Sequence, residues 1–320
     1  MMSNANVSTP ASAHADTDDH GGRRVTKRAD SLATHLAGNK KAVLVGITYQ
    51  GGAPYPPLMG AGNDVRNMNT LLGNYFGFGA IEVLVDDYVQ DGSDALQRCP
   101  VWPTRQNILA AIDWLVQGAK AGDSLVFFYS GHGGRVQDFS QDELDGFDEA
   151  IVPWDAWQNG FLVDDDLHRA LIAPLPKGVR LTVLIDACHS GTVLDLPFVY
   201  QFRSGAAQPE LFTSTRPSTD QHPDDDGDYE NKADVIALTS CRDDQTSADT
   251  RVESLGGTAS GAMTYALLQS MFDGNGQRKA NVTYWDLLVQ MRAAMKKGGL
   301  DQVPQLAVGR VLDLNTPFAL

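Results

Sequence analysis

The stretch Leu181–Asp195, LTVLIDACHSGTVLD, restricts the fold of this chain more than any other. Its first five residues are an apolar, β-rich run of the kind that fills a strand buried on both faces. Strands of this type belong to open α/β sheets, where ligands sit outside the carboxyl ends of the strands. Cys188 follows just past that end. A thiol there is sited either to pack at the rim of the core or to act as a nucleophile. A second apolar run, Ser124–Tyr129, ends in Ser130-Gly131-His132-Gly133-Gly134. Two buried strands therefore each deliver one reactive group at the same end. The pairing has chemical sense, because a free thiol is mostly protonated at neutral pH and the thiolate is the attacking species. An imidazole can take that proton and later return it to a leaving amine. Glycines around His132 let a substrate backbone come close and leave N–H groups available to an oxyanion.

The remaining chain alternates strand and helix. Lys41–Tyr49 reads as the first strand, Gly60–Phe76 as a helix with Val65, Met68, Leu71 and Leu72 at helical spacing, and Ile81–Val85 as a strand. Thr104–Lys120 is an amphipathic helix with Ile108, Ile112 and Leu115 on one face. The alternation predicts a mostly parallel sheet with helices on both faces. Asp138–Asp155 is an acid-rich loop ending in Ala150-Ile151-Val152, for which Phe161-Leu162-Val163 is a hairpin partner. Asp164-Asp165-Asp166 opens a helix leading to Leu171 and Ile172, with one aspartate as N-cap. Ala233–Thr239 reads as a strand, Gly261–Met271 and Thr283–Met295 as helices, and Gln305–Arg310 as a final strand. Thr283 and Asp286 have the spacing of a capping box. Residues 1–40, rich in Ser, Ala, Asp and His, read as a disordered arm. Residues 203–232 mix Ser, Thr, Pro, Gln and Asp and read as a flexible, exposed linker within one domain, 41–320.

Forty acidic against 25 basic residues give a formal charge of −15. That balance turns the chain away from nucleic acid and toward cations or basic substrates. Its three cysteines, Cys99, Cys188 and Cys241, form no CxxC pair and no zinc spacing. A disulfide framework is therefore not expected, and a reducing compartment suits a working thiol. The sequence holds no run of 18 apolar residues and no signal-peptide core at its N-terminus, so the expectation is a soluble monomer of the cytoplasm or nucleus, off the membrane.

SGHGG together with DACHSG resembles the metacaspases, caspase-fold cysteine proteases; the classical caspase signature around the cysteine differs, QAC followed by R, Q or G and then G. Further stretches similar to that family are KAVLVGITY, GNDVRNM, DELDGFDEAIVPWD, LVDDDLHRAL and CRDDQTSAD, which run from Lys41 through most of the chain. The resemblance implies a caspase-like three-layer α/β/α sandwich with a mostly parallel central sheet. It divides the domain into a p20-like region, 41–202, the linker 203–232 and a p10-like region, 233–320. It implies Cys188 as nucleophile, His132 as general base and acid, and the backbone N–H groups of Gly133 and Cys188 as oxyanion donors. His189 adjoins the thiol, but neighbouring side chains diverge, so it is given no role.

Asp148, Asp164, Asp165 and Asp195 match the aspartates that bind calcium in metacaspases. Calcium is a hard cation that takes oxygen ligands, although neither acidic loop of this chain has the spacing of an EF-hand. Asp64, Ser130 and Asp186 match the S1 pocket of the family, which accepts Arg or Lys. Spacing supports the last two. Asp186 is two residues before Cys188 and Ser130 two before His132, so in extended segments each companion emerges on the side of its catalytic residue. The implied activity is calcium-dependent endopeptidase cleavage of proteins or peptides after Arg or Lys, with autoprocessing at Arg203, Arg216 or Lys232. Rival readings are a calcium-independent paracaspase-like protease, a separase-like protease, and a non-catalytic calcium-responsive scaffold or aggregate-binding factor.

Overall fold

The computed structural model describes residues 36–50, 53–86, 101–137, 147–187, 194, 196–203, 206–213, 232–239, 249–251, 259–300 and 302–320. Their elements, in order, begin with β1 (Lys40–Gly46), α1 (Ala61–Phe76), β2 (Ala80–Val85), α2 (Arg105–Val116) and β3 (Ser124–Ser130). A smaller unit follows: β4 (Gly133–Gln137), β5 (Phe147–Ile151), α3 (Ala156–Asn159), β6 (Leu162–Val163) and α4 (Asp164–Leu171). Then come β7 (Arg180–Asp186), β8 (Phe198–Phe202), β9 (Pro209–Thr213), β10 (Asp234–Thr239), β11 (Asp249–Arg251) and β12 (Ala259–Gly261). The last elements are α5 (Ala262–Met271), α6 (Tyr284–Lys297) and β13 (Gln305–Val308).

Eight strands make the central sheet in the order β2-β1-β3-β7-β10-β13-β8-β9. The first five run parallel, whereas the three pairings beyond them, β10–β13, β13–β8 and β8–β9, are antiparallel. The expected parallel sheet is present, with an antiparallel extension on one side. β3 and β7 are buried at every position, as their largely apolar sequences require. Alternation along the strands divides the interior in two. Leu44, Phe128 and Leu184 face the layer of α1, α5 and α6. Val45, Tyr129 and Ile185 face the layer of α2 and α4.

Local signals explain several boundaries. Thr104 caps α2, its hydroxyl accepting from Asn107 N–H, and Thr283 with Asp286 forms the complete capping box at α6. The hairpin read from Ala150 and Phe161 is the β5–β6 pair, with Ala150 opposite Val163. At α4 the N-cap is Val163 and not an aspartate; Asp164, Asp165 and Asp166 all lie in the first turn, where the helix dipole favours negative charge. β1 ends at Gly46, short of Tyr49. The linker reading needs correction in its first part, because β9 pairs with β8 in the central sheet. Leu211 packs against the layer of α1, α5 and α6, and Phe212 is fully buried, burial that a polar composition average conceals. Residues 204–205 and 214–231 of the expected linker lie outside the described residues, as do the arm's residues 1–35.

Candidate active site at the carboxyl end of the sheet

β3 and β7 lie side by side, and Ser130 and Asp186 are their last register pair. Gly131 N–H then donates to the Asp186 carbonyl at 3.3 Å, and the chain bends toward His132. The bend corrects the alternation reading. Ser130 and Asp186 do share a side, that of Phe128 and Leu184, but His132 has left the strand and its ring packs on Tyr49 with centroids 4.5 Å apart. Tyr49 belongs to the opposite apolar layer.

Two tyrosine hydroxyls hold the backbone of His132. Its N–H donates to Tyr49 Oη at 2.9 Å, and its carbonyl accepts from Tyr129 Oη at 2.8 Å. Tyr49 Oη also donates to the Val152 carbonyl at 2.6 Å. Burial is the first cause that raises the Tyr49 pKa far above its usual value, so the phenol stays protonated and able to donate. Gly131 is dictated by this clamp: a Cβ there would lie 2.5 Å from Tyr129 Oη. Tyr49 sits at φ 57°, a left-handed conformation that costs a non-glycine residue about 1–2 kcal/mol. The His132 ring is half-buried, and Nε2 lies 2.8 Å from the Pro56 carbonyl oxygen. A carbonyl only accepts, so Nε2 carries the proton and Nδ1 is left with its lone pair. Gly133, the expected oxyanion donor, opens β4 opposite Ile151. Cys188 and His189 lie outside the described residues; Cys188 follows two residues after Asp186, as His132 follows Ser130.

On the other layer, the three residues assigned to S1 come together. Asp64 Oδ2 accepts from Ser130 Oγ at 2.8 Å. Its Oδ1 accepts from Ser260 Oγ at 2.5 Å, and Gly261 N–H reaches Oδ2 at 3.0 Å. Asp186 accepts from Met263 N–H at 3.2 Å and Thr264 N–H at 2.7 Å, at the start of α5. Asp64 lies in the first turn of α1 without capping it, its oxygens being taken by Ser130, Ser260 and Gly261. Asp64 is 0% exposed and Asp186 3%. Burial first, and then the charge of Asp186, push the Asp64 carboxyl up to about 8, against the pull of its Ser260, Ser130 and Gly261 donors. Gly261 approaches so closely that a Cβ would lie 2.3 Å from Asp186 Oδ2. Sequence reading missed Pro56, Tyr49, Tyr129, Ser260 and Gly261. The tyrosines stood in the apolar runs and passed for core.

The acidic residues assigned to calcium are only partly described. Asp164 is buried and accepts from Glu149 N–H at 3.0 Å and Asp165 N–H at 2.8 Å. Asp148 lies two residues before Ala150 and Asp165 two after its register partner Val163, so both leave the same end of the hairpin. Asp195 lies outside the described residues, but Leu194 does not: its carbonyl accepts from His168 Nδ1 on α4 at 3.3 Å. Among the described residues no three His, Cys, Asp or Glu side chains gather as a metal site. The all-oxygen donor chemistry fits a hard cation; the described three do not complete a shell alone. Of the autoprocessing candidates, Arg203 follows β8, and its carbonyl accepts from Ala206 N–H at 2.9 Å. Lys232 bridges Pro176 just before β10, and Arg216 lies outside the described residues. Among the described residues no helix is long and apolar enough to cross a membrane.

Comparison with known proteins gives the family. The family model for the metacaspase, peptidase C14 domain, matches residues 40–197. Metacaspase-1 of Meyerozyma guilliermondii is 37% identical over 318 residues, covering 90% of this chain and 73% of that one. Metacaspase-1 of Pyricularia oryzae is 36% identical over 310 residues, covering 88% and 74%. The crystal structure of protein GSU0716 from Geobacter sulfurreducens shares the fold, with a TM-score of 0.56 and 24% identity over 86% of this chain and 100% of that one. With its caspase-like α/β/α sandwich and its relatives of this similarity, the chain belongs to the metacaspases, the C14 family of cysteine peptidases.

Proposed function

We propose that this peptidase cleaves protein chains after Arg or Lys and is stimulated by calcium. The observation that carries the specificity is the buried pair Asp64 and Asp186 with Ser130, two residues from His132. A guanidinium brings a planar fork of donors and a positive charge, which two carboxylates accept, and an ammonium does so less specifically. An aspartate side chain would meet like charge. In the closed pocket, Ser260, Gly261 and the start of α5 supply donors of the kind a guanidinium would bring. An arginine therefore reaches the pair as residues 259–261 draw back.

Cys188 gives its proton to His132 Nδ1, and the thiolate attacks the scissile carbonyl carbon. The N–H groups of Gly133 and Cys188 receive the developing oxyanion. The tetrahedral species collapses as His132 returns the proton to the leaving amine, and a thioester remains on Cys188. A water deprotonated by His132 then hydrolyses the thioester and restores the thiol. Asp148, Asp164 and Asp165, completed by Asp195, would hold calcium, whose charge would relieve the repulsion of these carboxylates. The His168–Leu194 bond ties α4 to the segment that follows the nucleophile, which supports a route from that site to Cys188. Autoprocessing is assigned to Arg216, since the Arg203 carbonyl is engaged by Ala206 N–H and a protease requires an extended, unengaged substrate. The protein acts as a monomer in a reducing compartment, where Cys188 remains a thiol. The test is calcium-stimulated hydrolysis of an Arg-ending reporter by the wild type and by Cys188→Ala. Loss of turnover in the variant, with an unchanged circular dichroism spectrum, is expected. Turnover that survives the substitution overturns the nucleophile.

A further inference from the structure

Aromatic rings continue outward from His132 on the side away from the acidic pocket. Tyr55 lies 6.5 Å from the His132 ring, centroid to centroid, and Trp157 on α3 lies 6.4 Å beyond Tyr55. Trp154 backs Trp157 at 4.9 Å, and Trp102 backs Trp154 at 5.3 Å. The array is anchored: Trp154 Nε1 donates to the Gln50 carbonyl at 3.2 Å, and Trp154 and Tyr55 pack against the α2–α4 layer. Its outer member is not covered, Trp157 being 39% exposed. The mechanism above uses none of these four rings.

Their position relative to the scissile bond identifies an occupant. Asp64, Ser130 and Asp186 lie on the α1–α5 layer, whereas Tyr55 and Trp154 lie on the α2–α4 layer, with His132 between the two. If the residue before the cut lodges its side chain among the carboxylates, the chain after the cut leaves over the opposite layer. His132 must also touch the leaving nitrogen, so the leaving segment begins at that ring. An extended chain advances roughly 3.3 Å per residue. Tyr55 then lies about two residues past the cut, and Trp157 two residues further. Aromatic faces favour large apolar or aromatic partners.

We propose that Tyr55 and Trp157, supported by Trp154 and Trp102, form a subsite for a large apolar or aromatic side chain at the second to fourth positions after the scissile bond. This rests on the pocket assignment of the proposed function for the direction of the chain.

The test is digestion of a proteome-derived peptide library by the full chain with calcium, every cut being read by mass spectrometry. Positions before and after the cut are scored from the same cleavages. Wild type is expected to enrich Phe, Tyr, Trp, Leu or Met about threefold to tenfold at one of the second to fourth positions, the range an aromatic contact provides. Trp157→Ala should bring that column to the library frequency, and Trp157→Phe should keep most of it. A flat column in the wild type overturns the subsite, whether or not the protein pairs through this face in sedimentation. Enrichment that persists in Trp157→Ala overturns it too. The column before the cut is independent: a missing preference for Arg and Lys there sinks the pocket assignment, while an aromatic preference after the cut would still uphold the subsite.

Discussion

The ring of His132 is oriented by a backbone carbonyl, Nε2 donating to the Pro56 oxygen across 2.8 Å. A carboxylate in that place would stabilise the imidazolium by charge; a carbonyl fixes the tautomer and leaves Nδ1 its lone pair, the base of the proposed mechanism. Positioning then falls to the two phenols that grip the residue's own backbone.

Tyr49→Phe removes one grip and leaves the Val152 carbonyl without that donor. An unmet buried hydrogen bond costs about 1–3 kcal/mol. The variant is expected to lose roughly tenfold in kcat, about 1.4 kcal/mol of barrier, with little change in KM, and to melt several degrees lower. Steady-state kinetics and a thermal melt check both. An unaltered kcat in a destabilised protein would reduce Tyr49 to a packing residue.

Asp186 has two separable duties. It accepts from the first N–H groups of α5, and in the proposed specificity it supplies the charge that receives Arg. Asp186→Asn keeps an acceptor for the helix and removes the charge; Asp186→Ala removes both. Each is expected to lower kcat/KM on Arg reporters by about a hundredfold, some 3 kcal/mol of charge-assisted contact. The melting temperature should fall clearly only in the alanine variant, because a lost cap costs about 1 kcal/mol. Equal melting losses with retained Arg turnover would make Asp186 structural alone.

The Asp64 carboxyl, raised to about 8 by burial and by Asp186, sets a slope in stability against pH. In the unfolded chain the same group ionises near 3.8. Between those values the folded protein holds a proton that the unfolded chain has released. Asp64 therefore stabilises the fold most at the acidic end, and that contribution is lost as pH rises toward 8. Asp64→Asn should gain stability relative to wild type from pH 5 to pH 8 in urea titrations. Parallel stability curves for the two proteins would contradict the shift.

For calcium, the double variant Asp164→Ala plus Asp165→Ala is expected to flatten the activation curve of the Arg reporter. Asp164 also accepts from Glu149 and Asp165 N–H, so the hairpin should loosen as well. Titrating calcium against wild type and variant, with binding followed by calorimetry, separates these effects. An unchanged midpoint would remove these two aspartates from the site.

Much of the frame was legible because the central strands are covered on both faces, so Leu125–Tyr129 and Leu181–Ile185 had to be continuous apolar runs. The capping box at Thr283 and the hairpin at Ala150 were legible for a similar reason: each is a local signal within a few residues. β9 was not, since Leu211 and Phe212 are two apolar residues in a polar surrounding and owe their strand to pairing with β8. The acidic pair could be suspected from Asp64 and Asp186, but its lid could not. Ser260 lies 196 residues from Asp64, and Gly261 contributes a backbone N–H that no side-chain pattern announces. Pro56 was hidden likewise, because its part is played by a carbonyl oxygen.

The pocket's charge is tested most directly by the ratio of kcat/KM on two reporters that differ only in the residue before the cut, Arg or Asp, with calcium present. The buried Asp186 carboxylate, with Asp64 beside it, predicts a preference for Arg of at least about a hundredfold, from several kcal/mol of attraction on one side and like-charge repulsion on the other. A ratio near one, or a preference for Asp, would contradict the assignment of Asp64 and Asp186 to the substrate.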